Sequence, residues 1–268
     1  MHDFCQYKRL VKKLIHIIAL VSCCSFVKDE PKHLYIKNKF ELFTTDNIGN
    51  CYLVSGDEVK KYNAKGELLK VFSNKKLGKI SSIDATNPLR ILLFYKEQSQ
   101  LLILDSQLSQ NGNPIDLLNI NLEQSDVVCT SFNNGIWLFN RQNNELVRLT
   151  QNLEKAVSTG NLNTLLNTEL KPNFMVENGS YLYLNNGNSG VLIFDIYGTY
   201  YKTISLFQLL RFQVVENNLY YYKDSVFSKY NMKLLSTSDT LLLKPFPRDV
   251  RIGNNHLYKA YQDSLVID

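Results

Sequence analysis

The sequence predicts an all-β chain: four-stranded antiparallel sheets repeated along residues 33–268 and arranged radially as a six-bladed β-propeller. Three observations predict it. The first is the stretch 173–204, NFMVENGSYLYLNNGNSGVLIFDIYGTYYKTI, where four runs rich in Val, Ile, Phe and Tyr are parted by Asn-Gly, Asn-Gly-Asn-Ser-Gly and Tyr-Gly. Runs of that composition, cut by Gly and Asn, form an antiparallel meander. The second is that the rest of the chain rewrites this stretch at a near-regular interval. The third is physical: one meander cannot bury both of its faces, so copies must stack against each other.

The third strand of the unit is the clearest ruler. At 191–195 it reads apolar, two free positions, apolar, then a small polar residue before a turn, and the form recurs at 59–63, 101–105, 146–150, 227–231 and 265–268. The closing polar residues, Asn63, Asp105, Thr150, Asp195, Asn231 and Asp268, are 42, 45, 45, 36 and 37 residues apart. The second strand recurs at 51–55, 90–95, 135–140, 181–185, 218–223 and 256–261. The first ends at Asp46-Asn47, Glu177-Asn178, Glu216-Asn217 and Gly253-Asn254. A period near forty with four strands per period is a propeller signature. The sixth unit lacks a fourth strand. Residues 33–37, just before the first strand of unit one (40–45), are expected to supply it and close the ring. Seven blades would require a degenerate unit within 154–171, but Leu162-Asn-Thr-Leu165-Leu166 reads there as a short helical turn.

The opening residues differ in kind. Lys8, Arg9, Lys12 and Lys13 precede an apolar run, 14–21, and then Ser22-Cys23-Cys24. A basic flank, a short apolar run and small residues make a secretory signal, too short to span a bilayer. Leu20-Val21-Ser22-Cys23 resembles the bacterial lipobox, which implies lipidation of Cys23 as the first mature residue. The expected organisation is therefore a signal over 1–23, a tether over 24–32 and one propeller domain over 33–268. Cys24, which is not Asp, resembles an outer-membrane sorting signal, so an acyl anchor on the periplasmic side of the outer membrane is expected. Lys28-Asp29-Glu30 is similar to the export tag of surface lipoproteins, which leaves surface display as the alternative.

The formal charge of +5 falls to +2 once the signal's four basic residues and Asp3 are set aside. No Lys/Arg stripe remains, which argues against nucleic-acid binding. Cys51 and Cys129 fall in units one and three, which are not neighbours in a six-membered ring, and free buried thiols are expected.

Catalytic residue types are scarce. The expected mature chain holds two histidines, His33 and His256, on strands of the closing blade that another strand separates. There is no CxxC, HExxH, GxSxG or phosphate-cradling Gly loop, and no histidine base for a Ser or Cys nucleophile. Carboxylates on innermost strands (Asp46, Asp84, Asp126, Glu177, Glu216 and Asp249) could collect at the channel mouths. Calcium needs six to eight converging oxygens. Asp46, Glu177 and Glu216 are the candidate calcium ligands, but their place before a turn favours a turn-forming role. Aromatic residues such as Trp137 and Tyr220–Tyr222 are mostly inter-blade packing, with a rim position for a partner or a sugar as the alternative.

The segments before each innermost strand, 75–79, 118–124, 161–172, 207–211 and 244–248, vary most between units and should share one face. Such loops often form the binding face of a repeat protein. Lys76, Asn121, Leu165, Asn167, Lys171, Gln208, Arg211 and Arg248 are its candidate partner-binding residues.

Segments 62–69, YNAKGELL, and 195–200, DIYGTY, look like the tails of repeats in bacterial envelope β-propellers, the NHL-like and quinoprotein-like group. The Trp-Asp and Gly-His marks of WD40 units and the double glycines of kelch are absent. With the lipobox, the resemblance implies a lipid-anchored, non-catalytic propeller that docks an envelope protein, similar in architecture to the propeller subunit of the outer-membrane assembly machinery. A calcium-assisted hydrolase or lactonase, similar to six-bladed lactonases, and a glycan-binding propeller are the alternatives.

Overall fold

The computed structural model describes residues 33–268, which form one compact unit. The expectations for the signal, for Cys23 and for the tether fall outside the described residues.

Strand β1 (Leu34–Lys37) is followed by blade one: β2 (Leu42–Thr45), β3 (Cys51–Ser55), β4 (Glu58–Tyr62) and β5 (Leu68–Ser73). Blade two holds β6 (Ser82–Asp84), β7 (Ile91–Tyr95), β8 (Gln100–Leu104) and β9 (Ile115–Asp116). Blade three holds β10 (Ser125–Thr130), β11 (Ile136–Asn140), β12 (Glu145–Leu149) and β13 (Lys155–Ser158). A single helical turn, α1 (Leu162–Leu166), leads to blade four: β14 (Pro172–Asn178), β15 (Tyr181–Asn186), β16 (Gly190–Asp195) and β17 (Tyr200–Ile204). Blade five holds β18 (Phe212–Val215), β19 (Asn218–Lys223), β20 (Val226–Asn231) and β21 (Ser236–Leu242). Blade six holds β22 (Asp249–Gly253), β23 (His256–Ala260) and β24 (Ser264–Ile267), and β1 completes it. All six sheets are four-stranded, and the protein is a six-bladed β-propeller. The segment considered for a seventh blade is the outer strand β13 followed by α1.

The ruler has a local chemical cause. The side chains of Asn63, Asp105, Thr150 and Asp195 each accept the backbone N–H groups two and four residues on, at 2.8–3.2 Å. Asn231 accepts those of Lys233 and Leu234. A short side chain bearing an oxygen is what such a turn needs. The third residue on has positive φ in four blades: Gly66, Leu108, Leu153 and Gly198. Glycine at 198 has a second reason, since a Cβ there would lie 2.8 Å from Val157 of the neighbouring blade.

Both faces of each blade are covered, so successive side chains of one strand enter opposite seams. Leu93 packs towards blade one with Tyr52 and Val59, while Leu92 packs towards blade three with Val128 and Leu138. Trp137 and Phe139 meet Leu182 and Phe194 between blades three and four. Tyr183 and Ile193 meet Phe212 and Leu219 between four and five. The seam between five and six is thinnest: among the described residues its buried apolar cluster is Phe227, Leu243 and Val250. Cys51 and Cys129 are free and buried in separate seams, and burial, seconded by Asp46, pushes the Cys51 thiol up to about 12.

Closure is antiparallel, from Leu34 opposite Ile267 to Lys37 opposite Ser264. Ile36 sits with Phe40, Phe43, Leu265 and Ile267 in the seam between blades six and one. His33 Nδ1 lies 2.7 Å from Asp268 Oδ1, and Lys259 binds the other oxygen. His256 also turns its ring to Asp268, at the backbone carbonyl. Partial burial works upward on the Asp268 carboxyl, but the bonds from Lys259 and His33 outweigh it and hold the carboxyl below its ordinary range.

Ile36→Ala is expected to lose roughly 2–4 kcal/mol in urea unfolding, the cost of a large-to-small change in a packed core. A depressed carboxyl contributes stability above its unfolded value, and the contribution is lost as the pH falls through its folded one. Asp268→Asn should therefore be less stable than the native chain at pH 7, and the difference should shrink once the pH falls below the ordinary aspartate range and vanish below the folded value; a difference that does not shrink on acidification refutes the assignment.

Candidate functional site

Two regions are built by all the blades at once: the face formed by the crossover segments and the central channel. Each crossover donates one backbone N–H to the carbonyl of the turn between the second and third strands of its own blade. The pairs are Ile80 to Gly56, Leu117 to Ser99, Leu162 to Asn144, Gln208 to Gly187 and Leu243 to Ser225, at 2.8–3.2 Å. After β1, Asn38 donates to Asp263 in the same way, at 3.1 Å. These bonds place crossovers and turns on one face.

Each of the five inter-blade crossovers plugs an apolar residue inward: Leu77, Leu117, Leu162, Leu209 and Leu243 are buried. From the second onward they also turn apolar residues outward, one each except the fourth, which turns two. Leu118, Leu165, Phe207, Leu210 and Phe246 are between 48% and 74% exposed. The first crossover instead presents Lys75, Lys76 and Lys79.

The expected binding residues divide into two groups. Lys76, Asn121, Leu165, Asn167, Lys171 and Gln208 are exposed. Asn121 and Asn167 end helical turns with φ 56 and 47, and Lys171 pairs with Glu169 at 2.7 Å. Arg211 is half-buried, and Arg248, though exposed, is likewise tied to the structure. Arg211 donates to the Phe43 carbonyl at 2.7 Å, lies 4.9 Å over that ring and pairs with Asp249. It thereby links blade five to blade one past blade six. Arg248 stacks 4.3 Å over Phe40 and bonds the Phe40 carbonyl. Trp137 is fully buried, so it is not a rim residue.

The channel is a cavity of about 930 Å³ to which every innermost strand contributes, through residues such as Thr45, Asp84, Val127, Met175, Gln213 and Arg251. Its carboxylates divide between the two mouths, because Asp126 and Asp249 lie near the starts of their strands and Asp84 and Glu177 at or near the ends. Most are already engaged. Asp46 accepts the backbone N–H groups of Ile48 and Asn50, the Asn50 amide and the Tyr52 hydroxyl. Asp84 takes the backbone N–H and hydroxyl of both Thr86 and Thr130, the latter from blade three. Glu177 reaches back to blade three and accepts from the Ser131 hydroxyl at 2.6 Å, Phe132 N–H at 2.8 Å and Trp137 Nε1 at 2.6 Å. Asp126 pairs with Lys96 at 2.7 Å. Glu216 is exposed in a tight turn at φ 53. Among the described residues no three His, Cys, Asp or Glu side chains are grouped to hold a metal ion.

Polar side chains also stitch the inner strands together. The Gln213 amide both donates to and accepts from the backbone of Ile252, at 2.8 Å each, joining blades five and six. Beside it, Arg251 is a residue that the sequence did not single out. Counted back from the Asn-bearing turns, it stands where other inner strands have Thr44, Met175 and Val214, so a cation in an otherwise uncharged column was the available signal. Burial lowers the Arg251 guanidinium to about 10, with Asp84 acting upward through space. Burial, then the nearby charges of Arg251 and Arg248, lower that of Arg211.

Fold and channel together define a β-propeller. No protein-family model matches the chain, and no curated protein matches it. Among solved structures it is similar to a streptogramin B lyase, with TM-score 0.62 and 9% identity over 88% of this chain and 97% of that one. It is also similar to a catalytically inactive virginiamycin B lyase from Staphylococcus aureus with quinupristin, with TM-score 0.58 and 10% identity over 90% and 82%. A third is the Pan2 WD40 domain of Neurospora crassa, with TM-score 0.56 and 11% identity over 84% and 73%. Likeness at such identities shows the fold alone.

Glu177→Ala strips a charged acceptor from three donors of the preceding blade. It is expected to lower stability by about 2–3 kcal/mol in denaturant unfolding. A loss no larger than an ordinary surface substitution would show that the clasp contributes nothing.

Proposed function

We propose that this chain is a binding module of the bacterial cell envelope, a lipid-anchored propeller whose crossover face docks an envelope protein. The observation that carries the reading is the outward set Leu118, Leu165, Phe207, Leu210 and Phe246, held on segments that the fold fixes to one face. Large apolar side chains are exposed elsewhere too, as at Leu68 and Leu242 on outer strands, but these five share one face. An exposed apolar patch marks an interaction site. The fold is common to lyases and to WD40 domains and does not choose between them, so the reading rests on the face. The lipobox around Cys23 supports the anchor, and the absence of a sorting Asp at position 24 supports the outer membrane, on its periplasmic side.

Two measurements test it. Crosslinking in intact cells and pull-down through the native chain should recover a partner. Leu165→Asp with Leu210→Asp should lose that partner while the melting temperature stays within a few degrees of the native value, as for surface changes. An unchanged set of captured proteins would sink the docking face. Labelled palmitate should be incorporated by the native chain and not by Cys23→Ser, which should leave the membrane fraction; equal labelling of both would sink the anchor.

A further inference from the structure

The polar groups of the channel, the carboxylates of Asp46, Asp84, Asp126 and Glu216 and the cations Lys96, Arg211 and Arg251, are not all engaged. Lys96 is taken by Asp126 and Arg211 by Asp249. The oxygens of Asp84 and Asp46 are filled by the hydroxyl, amide and backbone donors described above. Gln213 spends both ends of its amide on Ile252. Arg251 is left over. Its Nε has a single long contact, 3.4 Å to the hydroxyl of Thr45, and its guanidinium has no ion-pair partner among the described residues. Its other four N–H groups form a planar fork of the kind that grips a carboxylate or phosphate through two oxygens.

The surroundings narrow the ligand further. Arg251 lines a cavity of about 930 Å³ whose walls include Ile83, Val128, Met175 and Val214. That volume lies within the usual range of small-molecule sites, and apolar walls with one or two fixed polar groups are their usual construction. Water alone could solvate the guanidinium, but an inorganic ion would leave the apolar walls unused. We propose that the central channel binds a small organic anion, its carboxylate or phosphate held by Arg251 beside Thr45 and its apolar body against the walls of the innermost strands. This site is separate from the crossover face, so either can fail without the other. The lowered Arg251 fits the proposal, because burial outweighs the distant charge of Asp84 and a bound anion would relieve it.

The test is isothermal titration calorimetry of the full chain with benzoate, phenyl phosphate and the uncharged benzyl alcohol. Binding of at least one anion and none of the alcohol is expected, and the choice between the two anions identifies the headgroup. Arg251→Gln should weaken that binding by about tenfold or more, and Arg251→Lys should restore part of it. Absence of binding by both anions, or equal binding by Arg251→Gln, overturns the proposal. Should Arg251→Gln fail to fold, arginine-selective NMR of the native chain, assigned with Arg251→Lys, decides the matter. A shifted Arg251 guanidinium signal on adding phenyl phosphate supports the site, and an unmoved one rejects it.

Discussion

Pairing of β1 with β24 is the contact on which the remaining geometry depends. Every sheet in this protein is apolar on both sides, so each is stable only between two others. A row of such sheets always leaves two uncovered, whereas a ring leaves none. The ring closes because a strand that precedes blade one completes blade six, which sets Ile36 in the same seam as Phe43 and Leu53 of blade one. Hydrophobic seams supply the stability, and hydrogen bonds between inner strands fix how far the blades turn relative to one another.

Those inner bonds share a pattern. A side chain at or near the end of one innermost strand is satisfied by backbone or hydroxyl groups of an adjacent blade, as with Asp84 on Thr130, Glu177 on Phe132 and Gln213 on Ile252. Asp46 and Glu177, candidate ligands by sequence, are spent on architecture. The outcome is a channel in which the oxygens of Asp46 and Asp84 are hydrogen-bonded while the Arg251 guanidinium has one long contact.

How much of this could be read from the chain follows from the range of each interaction. The repeat was legible because its ruler is local: Asn63 or Asp195 captures N–H groups within four residues, so the turn imposes a short oxygen-bearing side chain in the first five blades. The helical turn at 162–166 was legible for the same reason, with Asn161 capping Thr164. Arg211 was legible as a loop residue but not as a bridge, since its acceptor at Phe43 lies 168 positions away. Trp137 read as a rim candidate because an aromatic on a strand looks alike on either face. Its burial follows from Glu177, in the next blade, accepting the indole N–H. Arg251 escaped notice because nothing in a single strand shows which neighbouring charges are already paired.

The Glu177–Trp137 contact has an optical corollary. The chain has one tryptophan, and its indole is tied to a carboxylate across the boundary of blades three and four. Its ultraviolet emission is therefore a private signal from that single boundary, separable by wavelength from that of the chain's sixteen tyrosines. The molecule carries its own fluorophore at one defined joint, so events there can be followed without attaching a dye.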